Sequence, residues 1–93
     1  MIRSYANKAT QQLFERKSPR QIPGDIQRIA LRKILQIHAA TDLDFLRVPP
    51  GNRLESLKGN RKGQYSVRIN DQWHICFRWR QGDAYDVEIV DYH

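Results

Sequence analysis

Ninety-three residues suffice for one hydrophobic core and no second one, and a lone cysteine, Cys76, has no partner for an internal disulfide. Sixteen Lys and Arg against ten Asp and Glu give a net charge of +6, which favours polyanionic partners through counterion release and steered encounter. No apolar run approaches the ~20 residues that cross a bilayer, and MIRSYANKATQQ lacks the apolar core of a signal peptide, so a soluble cytoplasmic domain is expected.

MIRSY, with Ile2 and Tyr5, predicts a short opening strand. NKATQQLFERK follows as a helix, with Asn7 as candidate N-cap and Ala9, Leu13 and Phe14 on one face. SPRQIPGD breaks it through Pro19, Pro23 and Gly24. The strongest helical pattern comes next. Asp25 caps or begins it, Ile26, Ile29, Ala30, Ile34 and Ile37 keep helical spacing, and Leu31 and Leu35 widen the stripe. Arg28, Arg32 and Lys33 fall off that stripe, as on a solvated face. TDLDFLRVPPGNR has room for one helical turn opened by Thr41 or Asp42, and Pro49-Pro50-Gly51 ends it.

Beyond Arg53 the period changes from near 3.6 to 2. Leu54 to Lys58 reads as a short strand and GNRKG as a turn. Tyr65, Val67 and Ile69 alternate with Ser66, Arg68 and Asn70. Trp73, Ile75, Phe77 and Trp79 then alternate with His74, Cys76, Arg78 and Arg80. QGD signals a hairpin, and AYDVEIVDY offers Tyr85, Val87 and Ile89 on one face. Short connections make the last three strands antiparallel, with the helices on one face of the sheet. The aromatic set should meet Ile26, Ile34 and Phe14 in the core, which leaves Arg68, His74, Arg78 and Arg80 on the other face.

The charge is regional. Residues 1–33 carry eight basic and two acidic side chains, residues 53–80 seven and two, and residues 81–93 four acids without Lys or Arg. Strict alternation makes the tryptophans core residues rather than base-stacking platforms. KGNRKGQ lacks Walker spacing and does not lead from a strand into a helix. His38, His74, Cys76 and His93 lack the pairwise spacing of a zinc site, and His38 reads as a surface or boundary residue. Two questions stay open on the residues alone. Arg68, Arg78 and Arg80 either pair with Asp86 and Glu88 across the hairpin or form a phosphate-binding surface. The terminal Asp91-Tyr92-His93 is either a frayed tail or a source of a phenol and an imidazole beside that surface. Metal-free RNA cleavage needs a group to take the 2′-hydroxyl proton, another to protonate the leaving oxygen, and cations at phosphorus. Lys58, Arg68, His74, Asp91, Tyr92 and His93 make a suitable set.

The order strand, two helices, terminal antiparallel sheet resembles the RelE/ParE toxin superfamily. PPGNRLESLKGNRKGQYSVRINDQWHICFRW followed by VEIVDYH closely resembles its HigB branch, the plasmid maintenance killer proteins, and the likeness spans essentially the whole chain. It implies one α+β domain over residues 1–93: an N-terminal strand and two main helices packed on one face of a mostly antiparallel sheet of four to five strands. It also implies a type II toxin, a metal-independent and cofactor-free endoribonuclease that cuts ribosome-bound mRNA. Its partners would be a HigA-like helix-turn-helix antitoxin, the ribosome with its mRNA, and operator DNA through the antitoxin. The alternatives are the gyrase-inhibiting activity of the ParE branch and a non-enzymatic basic binding module.

By position, the resemblance assigns Lys58 to the scissile phosphate, and Asp91, Tyr92 and His93 to RNA positioning and proton transfer. His74 completes the expected catalytic set, and Arg53, Arg61, Lys62, Arg68, Arg78 and Arg80 are the expected RNA-binding residues. Two positions depart from the pattern: Glu55 stands where some relatives have a histidine, and His74 where an arginine is common. Arginine always carries its charge, whereas a histidine of pKa about 6.5 is near neutral at pH 7. The departure at His74 implies a slower reaction, greater pH sensitivity, reliance on Arg68 or Arg78 for charge, or a proton-transfer role for His74 itself; Glu55 in turn offers a general base but repels a phosphate.

Overall fold

The computed structural model describes residues 1–91. Two helices, α1 (Lys8–Phe14) and α2 (Gly24–Ala39), precede four strands: β1 (Glu55–Ser56), β2 (Tyr65–Arg68), β3 (Trp73–Arg80) and β4 (Asp83–Asp91). The strands form one antiparallel sheet in the order β1-β2-β3-β4, with the helices against one face, an α+β arrangement as expected. Among the described residues no helix is long and apolar enough to cross a membrane.

Local chemistry explains the helix ends. Asn7 accepts from the Thr10 amide at 2.9 Å, as an N-cap should. α1 stops at Phe14, earlier than the pattern suggests, and Arg16 takes a left-handed turn (φ 67°). α2 starts after Pro23 without a side-chain cap; Asp25 lies in its first turn, where the helix dipole favours an acid. The turn expected after Thr41 is a 3-10 helix, Leu43–Arg47, opened by Asp42, whose carboxylate accepts from the Asp44 amide at 2.9 Å. The expected Leu54-to-Lys58 strand contracts to the two residues of β1.

The core gathers Leu13 from α1, Ile26, Ala30, Ile34 and Ile37 from α2, Leu46, Val67, Ile75, Phe77, Ala84, Val87 and Ile89. Trp73, Trp79 and Phe14 pack against it partly buried, so the expected β3 face is the core face. Fully burying Ile75 and Phe77 contributes on the order of 2–3 kcal/mol each.

Two expectations need correction. Lys33 is only 9% exposed, not part of a solvated face. Tyr85 does not share a face with Val87 and Ile89. Cys76 pairs with Glu88 but Arg78 pairs with Tyr85, so a bulge inserts one residue between them. Asp86 sits in that bulge with φ 53°, and the shift turns Tyr85 to the outer face while Ala84, Val87 and Ile89 all stay in the core. Strict alternation cannot anticipate an inserted residue.

The same bulge explains the opening segment. Its pairing with β4 is parallel but reduced to two bridges, Ile2 with Ala84 and Tyr5 with Val87. Between them the Asp86 amide donates to Ser4 Oγ at 2.9 Å instead of to backbone. Further along the edge, the Ile89 amide donates to Thr10 Oγ1 at 2.9 Å, and that hydroxyl donates to Asn7 at 2.7 Å. His38 is a boundary residue: its Nδ1 accepts from the Ile2 amide at 3.1 Å and its ring lies 5.1 Å from that of Phe14. The outer edge of β4 is thus closed over to the end of the core.

Thr10 is fully buried and ties α1 to β4. Thr10→Val keeps the shape but leaves the Ile89 amide without its acceptor. It should cost about 1–3 kcal/mol, read as a lower urea midpoint at unchanged slope. A wild-type midpoint would contradict this role.

Candidate functional site

The face of the sheet away from the helices is built in cross-strand rows. One row runs Glu55, Ser66, Cys76, Glu88; the next holds Arg68, His74 and Val90. Past the bulge come Arg78 beside Tyr85 and Arg80 beside Asp83. The hairpin turns at Gln81-Gly82, both at positive φ (52° and 83°), which a two-residue hairpin of this twist requires.

The middle of the first row is covered, while Glu55 at its end is exposed. Ser66 and Cys76 are buried, and Arg61 reaches Glu88 at 3.3 Å while also donating to the Gln64 side chain at 3.0 Å. Burial pushes the Cys76 thiol up to about 11, with Glu88 adding to the rise and Arg61 opposing it. A thiol held there is no nucleophile at neutral pH.

In the second row Arg68 and His74 are direct cross-strand partners, which puts their Cβ atoms roughly 4.5–5.5 Å apart. Burial holds the His74 imidazole below the usual histidine range, and Arg68 pushes it the same way; Glu55 and a hydrogen bond with the Gln72 backbone partly counteract. His74 is therefore neutral at pH 7 and able to take a proton, while the permanent charge in this corner belongs to Arg68, itself hydrogen-bonded to Asp71. A neutral imidazole adds no permanent charge to that of Arg68.

Asp91 ends β4 opposite Trp73, one pleat beyond Val90, and so falls on the alternate pleat from His74. Its Oδ2 accepts from Gln72 Nε2 at 2.9 Å. Tyr92 and His93, both expected in the catalytic set, lie outside the described residues.

Lys58 is not beside the Arg68–His74 pair. Its neighbour Leu57 bonds to Gln64, four residues before Arg68 on β2, which corresponds to about 13 Å of strand. Lys58 and Lys62 line a surface concavity of about 600 Å³, and Lys58 and Arg61 an adjoining one of about 290 Å³. A Cβ built on Gly63 (φ 91°) would lie 3.0 Å from the Arg78 guanidinium, so the loop bearing Lys62 rests against Arg78. Arg78 pairs with Asp86 at 3.5 Å, and Arg80 stacks 4.7 Å over the Tyr85 ring. Arg53, exposed and left-handed (φ 45°), caps the 3-10 turn before β1.

The expected residues therefore fall into two groups at different places along the sheet. Arg68 and His74 hold one end, with Asp91 at the same end of the sheet; Lys58, Lys62, Arg78 and Arg80 hold the other, and Arg61 bridges toward Glu88. Of the cross-hairpin ion pairs considered from sequence, only Arg78 with Asp86 forms among the described residues, and both partners are about half exposed. Such pairs are worth little and yield readily to a phosphate. Two residues escaped the sequence reading. Gln72, which holds Asp91, gave no signal; Lys33 was placed off the apolar stripe on a solvated face, although its spacing of seven residues from Ile26 puts it on the buried side.

The neighbours of His74 make its titration testable. Histidine NMR should give a midpoint below the usual value of about 6.5. Arg68→Ala removes a repelling charge and should raise the midpoint, whereas Glu55→Gln removes an attracting one and should lower it. Two variants moving the midpoint in the same direction would refute this electrostatic picture.

Comparison with known proteins gives the family and supports the fold. Residues 3–93 match the family model described as a RelE-like toxin of type II toxin–antitoxin system HigB. The chain is 40% identical over 85 residues to toxin HigB-1 of Vibrio cholerae, covering 90% of each chain. It is 35% identical over 94 residues to the endoribonuclease HigB of Proteus vulgaris, covering all of both. The YoeB-YefM complex from Staphylococcus aureus contains a chain of the same fold, with TM-score 0.60 at 17% identity over 100% of this chain and 98% of that one. On its sequence and its fold, the chain belongs to the HigB family of RelE-like toxins of type II toxin–antitoxin systems.

Proposed function

We propose that this chain is an mRNA endoribonuclease acting in the decoding site of the ribosome. The cytoplasm is where it works, and a HigA-like helix-turn-helix antitoxin, through which it would reach operator DNA, neutralises it. The observation that carries the reading is the pairing of an untitratable cation, Arg68, with a neutral imidazole, His74, at the sheet end where Asp91 leads into Tyr92 and His93. Support for the activity comes from the Proteus vulgaris relative, named an endoribonuclease; the Staphylococcus aureus neighbour, a toxin–antitoxin complex by its title, supports an antitoxin partner.

In this reading the 2′-hydroxyl oxygen attacks the adjacent phosphorus as its proton passes to a base. The bond from phosphorus to the 5′-oxygen breaks, and that oxygen takes a proton from an acid. The products are a 2′,3′-cyclic phosphate and a 5′-hydroxyl. His74, Tyr92 and His93 are the candidate proton carriers, Asp91 positions the RNA, and Arg68 and Lys58 stabilise charge at phosphorus. Lys58, about 13 Å of strand from Arg68, has a flexible four-carbon stem and can reach a phosphate lying between the two clusters. Arg53, Arg61, Lys62, Arg78 and Arg80 hold the flanking backbone through charge, independently of sequence. Orientation by the ribosome supplies the remaining barrier reduction, so a complete pair of catalytic histidines is not required in the free protein.

Purified chain added to ribosomes carrying a defined mRNA, with 5′ ends mapped, should cut within the codon in the decoding site and leave ribosome-free mRNA intact. Arg68→Ala should lower the rate roughly 100-fold, and removal of Tyr92 and His93 should abolish cutting. Intact mRNA under all conditions would refute the proposal, and DNA damage alongside intact mRNA would favour the gyrase-directed alternative.

A further inference from the structure

Helix α2 carries one side chain that its amphipathic pattern does not explain. Lys33 is 9% exposed, and its Nζ donates to the carbonyl of Arg68, the last residue of β2, at 2.6 Å. Buried lysines are ordinarily paired with an acid, because desolvating an ammonium is costly. Among the described residues no carboxylate forms an ion pair with Lys33. Burial, Arg32 and Arg68 all push its pKa down. A methionine would fill the same space without that cost, so the ammonium is there for what it holds.

It holds a corner of the sheet. Past Arg68 the chain turns back on itself, the Ile69 and Asn70 amides both donating to the Trp73 carbonyl at 2.9 and 3.2 Å. Asn70 Oδ1 accepts from the Gln72 and Trp73 amides at 2.8 and 2.7 Å. This turn is stitched by its own hydrogen bonds, and Lys33 is a side-chain tie from it to the helix layer. Three candidate site residues take their positions from the corner: Arg68 at the end of β2, His74 opposite it on β3, and Asp91 through Gln72.

We propose that Lys33 is a positioning residue for RNA cleavage: its hydrogen bond to the Arg68 carbonyl ties the end of β2 to α2 and fixes the Arg68 guanidinium against His74. The inference rests on Arg68 and His74 belonging to the cleavage site proposed above. Lys33 touches no reacting atom; it acts through the backbone of Arg68.

Lys33→Met and Lys33→Arg, each alone and in an Arg68→Ala background, test the idea. In Lys33→Met the end of β2 loosens, Arg68 withdraws and water enters. Both changes raise the His74 midpoint toward the ordinary value of about 6.5. The groups facing His74 are Arg68, Glu55 and the Gln72 backbone, and of these only Arg68 is tied to Lys33. On programmed ribosomes kcat should fall about tenfold with KM within about twofold, the signature of lost orientation. Lys33→Arg, which keeps charge and donor, should restore much of the rate, and Lys33→Met should add little once Arg68 is already alanine. A folded Lys33→Met with wild-type kcat and a wild-type His74 titration would overturn the inference, as would fully additive effects with Arg68→Ala. If Lys33→Met does not fold, Lys33→Gln, whose amide is too short to keep the bond to the Arg68 carbonyl, decides: a lower kcat with a raised His74 midpoint supports the inference, and unchanged readouts refute it. The NMR titration needs no RNA, so a wild-type chain that never cuts mRNA defeats the function while leaving the tie to be judged by the titration.

Discussion

The structure depends on one constraint: a single layer of helix can cover only one face of a sheet. Strand β3 sends successive side chains to opposite sides, and α2 with α1 covers the side bearing Ile75 and Phe77. Whatever β3 places on its other side must be polar, charged or covered by a loop. That is why a protein of this size interleaves tryptophans with arginines. The apolar set is committed to the core and the cationic set is left over the opposite face, where a polyanion can lie along it. The covered row around Cys76 is the exception that the loop with Arg61 closes.

The cations on that face are held without being used up. Arg78 with Asp86 and Arg68 with Asp71 are pairs in which at least one partner is well exposed. Exposed pairs contribute between nothing and about 1 kcal/mol, so each arginine can exchange its carboxylate for a phosphate at little cost. Arg80 lies over Tyr85, a ring that the Asp86 bulge has turned outward. One inserted residue thus adds an aromatic surface to the basic face and, through Ser4, shapes how the N-terminal segment closes the edge of β4. Site and scaffold are linked at the same irregularity.

A histidine opposite Arg68 sets the chemistry of this corner. Beside Arg68 and partly out of water, a second permanent cation would be costly to hold, whereas an imidazole can shed its proton. Under the proposed function the corner would separate two tasks, charge on Arg68 and proton exchange at His74. Glu55, across the sheet, opposes the depression of the imidazole pKa and keeps the value from falling further. The backbone turn that presents both residues is anchored from behind by the buried Lys33.

Much of this was legible in the residues. The change of period after Arg53 marked the passage from helices to strands, the apolar alternation of β3 identified the core face, Asn7 announced its cap, and the LKGNRKGQYSVRINDQW stretch with its terminal DYH carried the family. These features are local, because each residue's preference depends on neighbours within a turn or a pleat. The bulge at Asp86, the burial of Lys33 and the distance between Lys58 and His74 are not local. A bulge depends on which partner strand lies alongside; a lysine goes inward only when a distant carbonyl, here that of Arg68, waits for it. Separation along a sheet follows from register, which pairs residues far apart in the chain. The sequence by itself determined the two faces of β2 and β3; only the tertiary structure decided that Tyr85 turns outward, that Lys33 turns inward and which groups stand together, because hydrogen-bond partners across strands and layers are chosen by the packed whole.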